Sequence, residues 1–401
     1  MELRTIQQRS LPFMKTTITQ SIDKHGDRFK AISSFIGANP ELGHEEFQAS
    51  DRLTEELAYH GFQVERGVLD IATSFIATYD SGKAGPVVAF LAEYDALPEL
   101  GHACGHHLIC MMSIGAAIGL KSVIDETGGS IRVYGTPAEE TKGAKVPMAA
   151  AGLFKDVDIA LMAHPYYTYE KSGESLAMDA IQYEFFGRSA HAAAQPYEGV
   201  NALDAVLQLF NSINALRQQT KSDARIHGII SEGGKAPNII PDYAVAQFYV
   251  RSASRTYTNE LVQKVLHCAE GAALQTGCTL KTSFYEYSYD ELRTNETLSA
   301  VFTDELLAMG IDPKEIEIGK DHGSLDLGNV STQCPTIHPF VKVVDERHML
   351  HTKEFRDLAL QEPALNAMIF AAKLLAFTAY EVLTSPELLS KIKAEFAAPK
   401  K

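Results

Sequence analysis

The stretch GPVVAFLAEYDALP opens with a continuous apolar run, Val87 to Ala92, bounded by Gly85-Pro86 and by acidic residues. A run without polar alternation predicts a strand buried on both faces. IRVYGTP (131–137) and DIALMAHP (158–165) repeat the pattern. Between the first two lies LICMMSIGAAIGLKSVI, an apolar segment of small residues that reads as a helix. Strand, helix, strand, helix, strand predicts a largely parallel α/β sheet. Upstream, Ile22 to about Tyr59 reads as helical, broken at NPELGHEE by Pro40 and Gly43. Polar residues close the apolar strands: Glu93 and Asp95 the first, Glu139 and Glu140 the second, His164 the third. Open α/β sheets bind ligands beyond the carboxyl ends of their strands, so these side chains are expected on one rim.

Near residue 175 the pattern changes. SLAMDAIQYEFF alternates like a half-buried strand, and a helix is expected from about Asn201 to Gln219. RIHGIISEGG, AVAQFYVRSAS, a helix from Thr258 to about Gln275 and CTLKTSFYEYS follow. This β-α-β-β-α-β order predicts a split βαβ, ferredoxin-like layer. From about Asn295 the first pattern resumes, ending in a long helix from Pro363 to Tyr380. The expected organisation is one α/β domain in two segments, 1–178 and 294–401, interrupted by a lid-sized domain at 179–293.

Composition narrows the partners. Of 401 residues, 45% are apolar and 22% charged, an ordinary globular balance. Thirty-six basic against 51 acidic residues leave a formal charge of −15, which disfavours nucleic acid and anionic membranes. No uninterrupted apolar stretch reaches the ~18–20 residues of a membrane span. The polar start MELRTIQQRS lacks a signal core, so a cytoplasmic protein is expected. Five scattered cysteines do not form a disulfide framework.

The chemistry concentrates in AEYDALPELGHACGHHLI, which holds Asp95, His102, Cys104, His106 and His107. Thiolate, imidazole and carboxylate are the donors that zinc-like metals take. Gly105 lets Cys104 and His106 turn toward one point if it adopts a loop conformation. A solvated His-rich loop with a buried thiol would carry the same letters. The pair Glu139-Glu140 in GTPAEE can divide labour, one carboxylate binding metal and the other taking a proton from water. It also reads as a solvated helix start. His164 in AHP, with His348 and His351 in HMLHTKEF, offers further imidazoles, or plain loop residues. Structural zinc sites use four Cys or His in short paired spacings, whereas these donors are dispersed and mixed with carboxylates. The mixture fits a two-metal catalytic site better. In the inserted layer, His191, Asn238 and Arg251 could polarise a carbonyl and grip a substrate carboxylate. Surface structure is an equal account of His191 and Asn238 and the plainer one of Arg251.

Taken in order, NPELGHEE, EYDALP, GHACGHHL, GTPAEE, AHP, GRSAHAA, PNIIPD, SLDLGNVS and HTKEF span nearly the whole chain. Together they resemble the motifs of metallopeptidase family 20, the aminoacylase-type amidohydrolases. The nearest branch is that of indole-acetyl-amino-acid hydrolase, aminobenzoyl-glutamate hydrolase and the aminoacylase-1-like-2 dipeptidases. The resemblance implies a mostly parallel di-metal peptidase domain with an inserted lid, a homodimer through that insert, and two divalent ions, zinc or manganese, per subunit. It implies Cys104, His106, Glu140, His164 and His351 as ligands, Glu139 as general base and acid, and Asp95 as the residue orienting a ligand. It makes His191 the lid residue that reaches the partner subunit's site and supports the oxyanion, and leaves Asn238 and Arg251 as substrate contacts. The substrate class implied is a small amide, an N-acyl amino acid or a dipeptide. His107 stands where the family commonly has Asp or Asn, and Asn39 where it often has His. Two other readings compete: a hydrolase with Cys104 as nucleophile and His106 or His107 as base, or a non-catalytic binder of small amides on the same fold.

Overall fold

The run Val87–Ala92 forms a strand inside a six-stranded sheet, and almost all of it is buried. Across the sheet lie Gln63–Arg66, Phe75–Asp80, Ser130–Gly135, Val87–Ala92, Ile159–Leu161 and Thr336–Ile337, in that order. The last four are parallel, with Val88 opposite Ile131 on one side and Ile159 on the other. The first two run antiparallel at one edge. The structure, a computed structural model, describes residues 2–319, 323–345 and 347–398, with side chains from residue 13 onward.

Helices Glu2–Ala38, His106–Thr127 and Glu362–Thr384 pack on one another and share one core with this sheet. Small residues permit the close approach. A Cβ on Gly119 would lie 2.7 Å from Ile22, and one on Gly115 would lie 3.1 Å from Ala372. His106–Thr127 and Glu362–Thr384 are long and apolar enough to cross a membrane, yet 89% and 72% of their apolar windows are buried here. Core packing accounts for their apolarity. A second, mixed sheet of four short strands orders Ile316–Ile318, Tyr169–Lys171, Phe340–Lys342 and His164–Tyr166. His164 therefore does not end the strand Ile159–Leu161. It opens a strand of this second sheet, parallel to Phe340–Lys342.

The chain divides into two compact units, Met1–Glu174 with Leu292–His322 and Asn329–Lys401, and Ser175–Glu291 with Gly323–Gly328. The second unit has its own core and an antiparallel sheet ordered Thr279–Phe284, Ala177–Phe186, Tyr243–Ser252, Arg225–Glu232. With helices Ala202–Leu216 and Arg255–Thr276 between strands, this is the ferredoxin-like arrangement. Asn201 and Ser254 cap those helices by accepting backbone N–H groups of their first turns. Residues 323–328 pack with this unit, where Gly323 accepts the Leu176 N–H, and not with the rest of the segment 294–401 to which the hydropathy pattern assigns them.

The Gly119 contact is testable. Gly119→Leu should cost about 1–3 kcal/mol in urea denaturation by overpacking against Ile22, and Ile22→Ala should recover part of that loss.

Candidate metal centre

Past Ala92 the chain leaves the sheet, and Asp95 lies buried beneath the turn. Its Oδ1 and its own carbonyl oxygen each accept the His106 Nδ1–H at 3.0 Å. Its Oδ2 accepts the Glu140 N–H, also at 3.0 Å. Carboxylate and carbonyl oxygens accept here, so Nδ1 carries a proton, and Nε2 is the nitrogen that would give up its proton to a metal. Gly105, at φ +82, turns the chain between Cys104 and His106. A Cβ there would meet Pro165 at 2.6 Å, so glycine is required for space as well as for backbone.

His164 donates Nδ1–H to the Pro165 carbonyl at 2.9 Å, leaving Nε2 at 3.5 Å from Cys104 Sγ. His351, at φ +63 with its N–H on the Ala103 carbonyl, brings Nε2 to 3.1 Å from Glu140 Oε1. Three sets of donor atoms each lie within 4.8 Å of one another: Cys104, His106 and His164; Cys104, Glu140 and His351; His106, Glu139 and Glu140. His106 Nε2 is buried and makes no hydrogen bond among the described residues. A buried polar atom without a partner is costly. The donor set and its second partners therefore fit divalent metal.

The electrostatics agree. Burial alone would raise the Asp95 pKa, but the charge and hydrogen bond of His106, the Glu140 amide and Lys145 bring it down to about 2. Burial, reinforced by the Glu140 charge, pushes the Cys104 thiol well above its ordinary value. A neutral thiol is a poor nucleophile, which counts against Cys104 acting by itself.

Sequence reasoning missed a buried pair beside these donors. Lys145 is fully buried and reaches Glu93 Oε1 at 2.7 Å, while Glu93 Oε2 lies 3.6 Å from His106 Nε2. Glu93 was legible as an acid at a strand end, but no local signal marks Lys145 as its partner. His107 turns elsewhere, donating Nε2–H to the Ala359 carbonyl at 3.2 Å and lying 5.2 Å, ring to ring, from buried His102. His44 donates to the Lys142 carbonyl at 3.0 Å.

The remaining three residues belong to the second unit. His191 is exposed, and its Nδ1 accepts the N–H groups of Ala193 and Ala194, each at 3.2 Å. Asn238 is exposed on the segment that bridges to it, where its carbonyl accepts the Ala192 N–H. Arg251 lies in the strand Tyr243–Ser252 over the Tyr249 ring and donates to Ser324 Oγ at 3.2 Å. Its buried Nε has no hydrogen-bond partner among the described residues.

An α/β sheet, parallel over four of its strands, with thiol, imidazole and carboxylate donors gathered in one unit, in a chain interrupted by a ferredoxin-like unit, has the layout of a metal-binding enzyme. The peptidase dimerisation domain family matches residues 178–276. Xaa-Arg dipeptidase of Mus musculus is 36% identical over 400 residues, covering 96% of this chain and 93% of the relative. A p-aminobenzoyl-glutamate hydrolase polypeptide of Escherichia coli is 35% identical over 288 residues, 67% of this chain and 60% of the relative. A Bacillus subtilis structure described as a dinuclear metal-binding peptidase of the M20 family superposes with a TM-score of 0.66. It is 19% identical and covers 90% of this chain and 99% of its own. The chain belongs to the M20 family of peptidases and amidohydrolases.

Burial holds the His107 pKa down at about 4, against 6.5 in an unfolded chain. Between these values the unfolded state binds the extra proton, so stability is full above pH 6.5 and falls as pH drops through 4. His107→Asn, which supplies the family's residue, should flatten that acid limb in urea denaturation across the same window.

Proposed function

We propose that this chain is a metal-dependent amidohydrolase cleaving the amide bond of dipeptides or N-acyl amino acids, with two divalent ions, zinc or manganese, per subunit. The observation that carries the reading is the overlap of three donor sets on Cys104, His106, Glu139, Glu140, His164 and His351. The names of the relatives support it, since Xaa-Arg dipeptidase and p-aminobenzoyl-glutamate hydrolase both describe hydrolysis of a small amide.

Cys104, His106, Glu140, His164 and His351 would hold the ions, with Asp95 fixing the orientation of His106. Bound there, the ions would polarise the scissile carbonyl and make a water acidic near neutral pH. Glu139 takes the proton of the attacking water and returns it to the leaving nitrogen as the carbon–nitrogen bond breaks. His191 has its Nδ1 filled by two backbone amides, so a proton on Nε2 would be available to a developing oxyanion in the site of the partner subunit. Asn238 would contact the substrate's amide, and the Arg251 guanidinium matches a carboxylate. A homodimer through the inserted unit is supported by the dimerisation-domain match. The edge strand Arg225–Glu232, with Ile229 and Ile230 exposed, supports it as well.

A panel of dipeptides and N-acyl amino acids, followed by released amine, tests the reading. Chelator should abolish turnover, and elemental analysis should count about two ions per subunit. Glu139→Gln should keep the metal and lose roughly 10²–10⁴-fold in kcat. Turnover that survives chelator, or full activity in Glu139→Gln, would overturn it.

A further inference from the structure

Glu139 lies between two anchored amides. On one side the Glu140 N–H is held by Asp95 Oδ2 at 3.0 Å. On the other, the Ala138 N–H is held by Glu46 Oε1 at 2.9 Å. Ala138 is fully buried and adopts φ +64, a left-handed conformation that costs a residue with a Cβ. Something outside the turn must hold it there. Glu46 is itself wholly buried, and its second oxygen accepts the Thr73 hydroxyl at 2.9 Å. Thr73 is fixed in turn, because its carbonyl accepts the Tyr94 hydroxyl at 2.7 Å.

The rest of the NPELGHEE loop fits the same turn. A Cβ on Gly43 would fall 2.8 Å from the Ala138 Cβ, so the loop backbone lies directly against it. His44 donates to the Lys142 carbonyl at 3.0 Å, closing the far end. Burying a carboxylate only to cap a helix would be costly, because a surface oxygen does that work. Glu46 precedes the helix Phe47–Tyr59, yet its side chain makes no cap to it. Its oxygens go to Ala138 and Thr73, and the backbone at His44 and at Glu46 itself also steadies the carboxylate.

We propose that Glu46 is a positioning residue for hydrolysis: by holding the Ala138 amide it keeps the left-handed turn that aims Glu139. The proposal rests on Glu139 being the base. Burial, followed by the nearby charge of Asp95, pushes the Glu46 pKa up to about 7, so glutamine is a close neutral replacement.

The test compares E46A, E46Q and E46A/A138G in the metal-loaded enzyme, against a substrate that the wild type cleaves. E46A should lose roughly 5–30-fold in kcat, the weight of a left-handed backbone without its anchor. KM and metal content should stay within about 2-fold, since only the base is misaimed. Hydrogen exchange of the peptide spanning 136–144 should quicken. E46Q keeps an oxygen for the Ala138 amide and should retain most activity. A138G removes the backbone penalty and should restore part of what E46A loses. Should E46A not fold, E46Q and Thr73→Val carry the comparison, the second giving an intermediate loss in kcat with faster exchange. If E139Q turns over normally, the base assignment falls and this proposal with it. If E139Q is inactive while E46A keeps its kcat, loses metal in step with activity, or gains nothing from A138G, this proposal alone falls.

Discussion

Asp95 is the constraint on which the centre depends. One buried carboxylate takes the His106 Nδ1–H on one oxygen and the Glu140 amide on the other. The first contact selects which imidazole nitrogen would be given up to a metal, and the second fixes the loop that carries two glutamates. Asp95 stays ionised because the imidazole it orients, together with an amide and Lys145, outweighs the desolvation that would neutralise it. With that carboxylate protonated or absent, His106 would lose its orientation and the Glu139-Glu140 turn one of its anchors.

The donors come from segments far apart in the chain. The strand Val87–Ala92 delivers Asp95, Cys104 and His106, the strand Ser130–Gly135 delivers Glu139 and Glu140, and a strand of the second sheet delivers His164. His351 arrives from the loop before the helix Lys353–Ala359. Two residues with a Cβ, Ala138 and His351, hold positive φ at or beside a donor, and Gly105 turns left-handed between two donors. Such conformations persist only where surrounding contacts over-determine them, and here buried strands, caps and carboxylate anchors supply those contacts.

Much of this was legible in the letters. Apolar runs ended by acids gave the buried strands and the rim, since a strand covered on both faces has no polar alternation. The Cys104-Gly105-His106 spacing and the pair Glu139-Glu140 stood out because few arrangements place so many metal-binding donors beside strand ends. What stayed hidden has a common cause. Lys145 was not readable as the partner of Glu93, nor Glu46 as the holder of Ala138, because each pairing joins segments that meet only across the folded sheet. Whether His107 joins His106 as a ligand was not readable from its place in the motif. Successive positions on a helix point to different sides, and His107 turns to Ala359.

The sequence alone determined the two kinds of layer and the donor types, because periodicity and residue chemistry are local properties. Tertiary structure decided which nitrogen of His106 keeps its proton, which unit holds the segment from Gly323 to Gly328, and that His164 opens a second sheet. It also decided that buried carboxylates brace the turn around Glu139. Those outcomes depend on which hydrogen-bond partners the packed strands bring within about 3 Å of one another, and spacing along the chain does not encode that distance.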